Sequence, residues 1–147
     1  MRSTSSLRAP SRSAAASAAG GPAGASFAAY WKAHVTGAKP YTGFEGTALD
    51  AANVAFLAAL KACSASPAKI KVNLVAVSGP PGVKVTYLQM GKAIKALRSG
   101  KEVDYEGAFS PVDFDQNGDI GSAVFEIWKY TAKGKIDTIK TVTFRGS

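Results

Sequence analysis

Residues 95–130 read KALRSGKEVDYEGAFSPVDFDQNGDIGSAVFEIWKY and mark a change in the pattern of the chain from helical to extended. Up to Gly100 the apolar residues recur at helical spacing, and Gly100 itself is suited to end a helix. Beyond it Val103 and Tyr105 alternate with polar residues, which is typical of half-buried strands. We therefore predict helices before residue 100 and strands after it, in a chain of the α/β class.

The strands after residue 100 are separated by recognisable turns. Val112 and Phe114 alternate with polar residues like Val103 and Tyr105, so they predict a second strand. The DQNGD run at 115–119 predicts a tight turn, because Asn-Gly readily adopts positive φ angles. A final hairpin is predicted, with strands at 123–130 and 136–144 and a turn at Lys133-Gly134.

Four segments before residue 100 have helical spacing: Ser26 to about Val35, residues 44–63, Ser66 to Val77 and Leu88 to Ser99. The strongest is residues 44–63, where Thr47 and Asp50 resemble a capping box. We expect its buried stripe to consist of Leu49, Ala52, Phe56, Leu57 and Leu60. Gly79-Pro80-Pro81-Gly82 predicts a loop between the third and fourth helices.

Composition defines one domain. Residues 1–25 contain no acidic or aromatic residue and are rich in Ser, Ala, Gly, Arg and Pro, which predicts a disordered low-complexity segment. The domain is then residues 26–147. The first 25 residues lack the strongly apolar stretch of a secretory signal. No run of 18 apolar residues occurs, so we expect no stable membrane insertion.

Charge and side-chain chemistry exclude several functions. The net charge is +8, but the basic residues are spaced along the chain without a nucleic-acid-binding motif, so no nucleic-acid partner is expected. His34 and Cys63 are the only residues of their types, which excludes a cysteine-rich metal site, and no plausible geometry for a Cys–His dyad is indicated. We predict that the chain is not an enzyme and uses no cofactor.

Acidic residues offer two further possibilities. Residues 113–120 match the first eight positions of an EF-hand calcium loop, but Val124 occupies the twelfth, where bidentate coordination needs Glu. A small structural or calcium-binding domain using the Asp113–Asp119 loop is therefore an alternative function. Glu102, Asp104 and Glu106 alternate along a strand, and we expect them to lie on a solvated surface.

Several of these residues together resemble a known family. The Tyr105-x-Gly107-Ala108 segment, followed by PVDFDQNGD at 111–119, is similar to the C-terminal signature of leucine/isoleucine/valine-type periplasmic solute-binding proteins. Asp50 and Ala51 match an upstream Tyr-Asp-Ala triplet of that family, with Leu49 in place of its Tyr. Ser110 stands where the family has Gly. The resemblance covers about residues 27–140.

The resemblance implies a fold and a function. It implies part of one lobe of a type I periplasmic-binding-protein fold, in which helices precede a β-hairpin region. The intact protein would bind an amino acid or small amide and deliver it to the permease subunits of an ABC transporter. It would work in the periplasm or on the outer face of the membrane. Ligand-sensing receptor domains share this fold, so a sensory module is also open.

The same resemblance selects two candidate ligand-binding residues. Phe44 matches a position whose aromatic ring lines the family's cleft, and a core Phe on the opening helix is the equal alternative. Tyr41 is a second candidate for the same role. Because most of the family's ligand contacts lie in parts that this chain does not match, we expect the isolated chain to bind no amino acid tightly. We also expect its apolar helix at 49–60 to be partly exposed.

Overall fold

The computed structural model describes residues 24–35, 37, 41 and 43–145. Its helices are α1 (Gly24–His34), α2 (Phe44–Lys61), α3 (Pro67–Asn73), α4 (Val75–Ser78) and α5 (Met90–Arg98), with a 3-10 turn at Tyr87–Gln89. Its strands are β1 (Val83–Val85), β2 (Val103–Tyr105), β3 (Ser122–Tyr130) and β4 (Ile136–Arg145). This mixture of helix and strand is compatible with the predicted α/β class.

The predicted disordered segment lies almost entirely outside the described residues. Only Gly24 and Ala25 of it are described, and both belong to α1. Helix α1 therefore begins before Ser26, which lies inside the helix and does not cap it as predicted. None of the helices in the described ranges is long and apolar enough to cross a membrane.

Helix α2 is confirmed, but its start and its buried face differ from the prediction. It begins at Phe44 after Gly43, whose φ of 98° is in the left-handed region, so Thr47 is not the cap. Phe56, predicted to be buried, is 50% exposed, whereas Asp50 is 3% exposed. The predicted buried face contained only apolar residues. The observed face includes the Asp50 carboxylate and is therefore rotated about the helix axis relative to the predicted one. The buried residues are Gly46, Asp50, Val54, Leu57 and Ala58.

The predicted helix from Ser66 to Val77 is two shorter helices. Helix α3 begins at Pro67, as expected, and a break at Leu74 separates it from α4. The helix predicted from Leu88 starts with the 3-10 turn at Tyr87–Gln89 and continues as α5. That turn carries a capping box, in which the Thr86 and Gln89 side chains bond each other's backbone N–H groups.

Strands β1 and β2 form a parallel pair with α5 as the connection between them. Val83, Lys84 and Val85 pair with Val103, Asp104 and Tyr105. Strand β1 was missed in the sequence, where its three residues follow directly on the proline-rich loop. The core consists of apolar side chains that α2, α4 and α5 pack against this pair, chiefly Leu57, Val77, Val85, Val103 and Tyr105.

Gly82 makes this pairing possible. A Cβ atom at Gly82 would lie 2.7 Å from the carbonyl oxygen of Val103 and 2.8 Å from the amide nitrogen of Asp104. Real Cβ atoms do not approach backbone that closely. The absence of a side chain therefore lets the chain enter β1 directly beside β2.

Strands β3 and β4 form the predicted final hairpin. They are antiparallel from the Ser122–Arg145 pair to the Tyr130–Ile136 pair, with an irregularity between Ile127 and Trp128. All ten residues of β4 are exposed. The strand predicted at Val112 and Phe114 is wrong, because only an isolated bridge between Phe114 and Ile120 forms there.

Candidate functional site

The carboxyl ends of β1 and β2 lie at one edge of the parallel pair, where α/β proteins commonly bind ligands. Tyr87 follows β1, and residues 106–110 follow β2. The first two turns of α2 reach the same place, because Asp50 bonds the backbone of Ala108. We call these three segments, Tyr87, residues 106–110 and residues 43–50, the carboxyl edge.

The Asp50 carboxylate holds the carboxyl edge together. Its Oδ1 accepts hydrogen bonds from the Tyr105 hydroxyl at 2.8 Å and the Ala108 amide at 2.7 Å, and its Oδ2 accepts one from the Phe109 amide at 3.0 Å. Asn53 donates to the Tyr105 hydroxyl at 2.8 Å. Burial raises the pKa of Asp50, while the three hydrogen bonds act in the opposite direction. The sequence pattern predicted a capping role for Asp50, and the family resemblance matched it without giving it a role.

Two glycines bring aromatic rings onto the start of α2. A Cβ at Gly43 would overlap the Phe109 ring, and Gly43 has φ 98°. A Cβ at Gly46 would lie 2.7 Å from the Tyr41 hydroxyl oxygen and 3.0 Å from Cβ of Phe109. The first turn of α2 thus packs its bare backbone directly against Phe109 and Tyr41.

The two predicted ligand-binding residues have different surroundings. Phe44 is the first residue of α2 and is 73% exposed. Its ring therefore faces solvent at the carboxyl edge, and Phe44 is not a core residue. Tyr41 is half-buried, and its ring meets Phe27 edge-on at 5.9 Å. Its hydroxyl is buried without a hydrogen-bond partner among the described residues, and burial raises its pKa.

Helix α1 is attached to the carboxyl edge through aromatic contacts. Phe27 is 6% exposed and contacts Tyr87 at a ring-centroid distance of 5.3 Å, besides its contact with Tyr41. The hydroxyl groups of Ser26 and Tyr87 are 3.1 Å apart. Phe27 lies in the first predicted helix, but its contact with Tyr87 was not predicted, because the two residues are distant in the chain.

A small cavity lies beside Asp50, between α2 and residues 110–120. Its volume is about 160 Å³, and its wall is mainly apolar, with Ala51, Val54, Val112 and Ile120 among the lining residues. This volume is below the usual range of about 300–1,000 Å³ for ligand pockets. The cavity has room for one short apolar group.

A group of charges occupies the face of the parallel pair away from α2. Asp104 was predicted to be solvated but is 2% exposed, and Lys84 and Asp113 are among its charged neighbours. Lys84 pairs with both Asp104, at 3.7 Å, and Glu106. Burial raises the pKa of Asp104, with a further contribution from Glu106, and Oδ1 of Asp104 has no hydrogen-bond partner among the described residues.

The loop that resembles an EF-hand is a turn stabilised by its own carboxylate. Oδ1 of Asp115 accepts hydrogen bonds from the backbone amides of Asn117 at 2.8 Å and Asp119 at 2.9 Å. The hydrogen bond from Asp119 is the main reason that the pKa of Asp115 is lowered. In the part of the chain that the structure describes, no group of three or more His, Cys, Asp or Glu side chains could hold a metal ion.

The carboxyl edge therefore presents an open aromatic ring beside a hydrogen-bonded loop, which can pack against a small molecule and orient it. His34 lies on α1, stacked on Tyr30 at 4.3 Å, and Cys63 follows the far end of α2. Comparison of the chain with protein-family models, with curated proteins and with solved structures finds no match.

Proposed function

We propose that this chain supplies part of one lobe of a solute-binding component of an ABC importer for amino acids or related small amides. The observation that carries the proposal is the contact between the two motifs on which the family resemblance rests. Asp50-Ala51 and the segment Tyr105–Ala108 are more than fifty residues apart, yet the Asp50 carboxylate joins them through the Tyr105 hydroxyl and the Ala108 amide. A direct contact gives both motifs one structural reason to occur together.

The small parallel pair supports the assignment to a partial lobe. Parallel sheets normally have several strands and are covered on both faces. Within the described residues β1 and β2 pair only with each other, and the core residues Val85 and Val103 lie on the face packed by α2 and α5. Further strands and helices, supplied by the rest of a lobe, would complete such a sheet.

Phe44 is the residue that we expect to contact the ligand. Its exposed ring at the carboxyl edge offers an apolar surface to the side chain of an amino acid. Tyr41 would support this position from behind, because its hydroxyl lies against Gly46 in the same helical turn. The rest of the cleft would come from the opposite lobe, since the cavity beside Asp50 is too small to enclose a whole ligand.

The resemblance also implies the setting of this function. The intact binding protein would act in the periplasm or on the outer face of the cell membrane. It would pass its ligand to the permease subunits of the importer. No cofactor or catalytic step is part of the proposal.

A chimera tests the proposal. Residues 26–145 would replace the corresponding C-terminal segment of a leucine-binding protein, and leucine affinity would be measured by calorimetry. We expect the chimera to bind leucine and Phe44→Ala to weaken binding about tenfold, which corresponds to the loss of one apolar contact. Phe56→Ala, on the same helix and 50% exposed, is the matched control and should have no effect.

Two outcomes of this experiment contradict the proposal. A chimera that folds but does not bind leucine, valine or a small amide contradicts the assignment to this family. Equal effects of Phe44→Ala and Phe56→Ala contradict the role of Phe44. For the full chain alone we expect no micromolar binding of leucine, valine or acetamide, and tight binding by the monomer would contradict the partial lobe.

A further inference from the structure

We propose that the cavity between the C-terminal ends of α2 and α5 binds a small organic anion with one apolar group, such as an aliphatic or aromatic monocarboxylate. The cavity lies at the amino end of β2, at the opposite end of α2 from the carboxyl edge. It is lined by apolar and charged side chains, including Leu60, Lys61, Leu97, Arg98, Lys101 and Glu102. The proposal does not depend on the proposed function.

The cavity has the size of a ligand site. Its volume is about 430 Å³. Pockets for small organic molecules usually have volumes of about 300–1,000 Å³. A monocarboxylate with a short aliphatic or single aromatic body fits a volume near the lower end of that range.

The charge of the lining selects an anion. Lys61 is paired with Glu102. Neither Arg98 nor Lys101 has a carboxylate within 4.0 Å among residues 24–35, 37, 41 and 43–145. Three cations and one carboxylate therefore give the cavity a net charge of +2, and two of the cations have no acidic partner there.

Arg98 and Lys101 are not needed to bond the carbonyl groups at the ends of the two helices. Basic residues at a C-terminus often bond the last carbonyl groups of a helix. At the end of α5, however, the carbonyls of Lys95, Ala96 and Leu97 already accept backbone bonds from Ser99, Gly100 and Lys101. At the end of α2, those of Ala58, Ala59 and Leu60 accept bonds from residues 62–64. Arg98 and Lys101 are thus available to a ligand.

The apolar part of the lining favours an anion that also carries an apolar group. Leu60 and Leu97 are half-buried and contribute side chains to the same cavity. A ligand with an apolar body covers them while its carboxylate meets Arg98 or Lys101, whose guanidinium or ammonium group can donate to it. Inorganic phosphate can contact Arg98 or Lys101 but cannot cover Leu60 and Leu97, so it should bind more weakly than such a monocarboxylate.

The test is an NMR titration of the full chain with benzoate. We expect shift changes at the amides of Leu60, Leu97 and Gly100 and weaker binding at high ionic strength. Benzamide, which has the same shape without the charge, should bind about tenfold more weakly, because it loses a charge-assisted hydrogen bond. The double variant Arg98→Ala/Lys101→Ala should bind benzoate about tenfold more weakly than the original chain. The charge-matched control Lys71→Ala/Lys95→Ala should bind benzoate normally.

Equal binding of benzoate and benzamide, or equal effects of the two double variants, would overturn the proposal. Cys63, the only cysteine, is exposed and lines the cavity, so it supplies a second measurement. Its rate of reaction with the anionic disulfide dithiobis-nitrobenzoate is compared with its rate with neutral dithiodipyridine. Loss of Arg98 and Lys101 should reduce the anionic-to-neutral rate ratio about tenfold, and an unchanged ratio would refute the electropositive cavity.

Discussion

The body of the molecule, residues 43–109, and the β3–β4 hairpin differ in how they cover their apolar side chains. In the body, Leu57, Val85 and Tyr105 are at most 1% exposed, because helices from distant parts of the sequence pack on the parallel pair. In the hairpin, Phe125 and Ile127 are each 39% exposed. The hairpin is held mainly by backbone pairing between adjacent strands, and an isolated two-stranded hairpin is only marginally stable in water.

This difference implies that stability is distributed unevenly along the chain. The body combines a buried core with the hydrogen bonds of Asp50, and both are lost only when the body unfolds. Strand β4 can separate from β3 at a lower cost in free energy, because all residues of β4 are already exposed and few new apolar atoms are uncovered.

The largest effect should come from Asp50→Ala. The change leaves the buried Tyr105 hydroxyl and the amides of Ala108 and Phe109 without their acceptor, and each unsatisfied donor costs about 1–3 kcal/mol. We expect the free energy of unfolding to fall by about 4 kcal/mol in urea denaturation. Asp137→Ala, on the exposed strand β4, is the control and should change it by less than about 0.5 kcal/mol.

A neighbouring pair of substitutions in α2 tests the position of its buried face. Leu57 is fully buried and Phe56 is half-exposed. Leu57→Ala should reduce stability by about 3 kcal/mol, which is typical of a truncated core leucine. Phe56→Ala should cost less than about 1 kcal/mol. Equal losses in urea denaturation would show that the buried face includes Phe56.

Trp128→Ala should affect the hairpin alone. Trp128 is 9% exposed, and its ring meets Tyr130 at 5.0 Å. Its removal should lower the local opening free energy of residues 122–145 by about 2 kcal/mol, measured by amide hydrogen exchange. The amides of Val103 and Tyr105 should keep their protection. Loss of protection at both sites would show that the two regions unfold together.

The smallest effect should be a gain of stability in Asp104→Asn. Burial raises the pKa of Asp104 above 3.8, so the folded chain binds its proton more tightly than the unfolded chain does. The contribution of Asp104 to the free energy of unfolding is therefore fully present below pH 3.8 and is lost as the pH rises through the pKa of the folded state. We expect Asp104→Asn to stabilise the body by about 1 kcal/mol at pH 7 and to flatten the rise in stability on acidification. Glu126→Gln in the hairpin is the control, and a loss of stability at pH 7 would contradict this assignment.

The same contrast explains what the sequence could and could not predict. The hairpin was predicted nearly to its ends, because alternation and the Lys133-Gly134 turn are local signals. Strand β1 was missed because its three residues are defined by pairing with β2, on the other side of α5. The burial of Asp104 was also missed, since an acidic residue that alternates with other acidic residues along a strand is usually solvated.

The candidate site was predictable only in part. The resemblance selected Phe44, and the structure leaves its ring exposed at the carboxyl edge. The packing of Tyr41 against Phe27 and Gly46 could not be read from the sequence, because Tyr41 lies outside both helices and helical periodicity does not place it against α1 or α2. The role of Asp50 was hidden because an acidic residue early in a helix is usually explained by capping.

The close approach at Gly82 has a consequence for mutational scanning of this chain. Gly82 is solvent-exposed and lies in a loop, two features that usually mark positions tolerant of substitution. Alanine at this position would nevertheless collide with the backbone of Val103 and Asp104 and push the two strands apart. A scan that ranks sites by surface accessibility would thus misjudge one of the least replaceable residues of the protein.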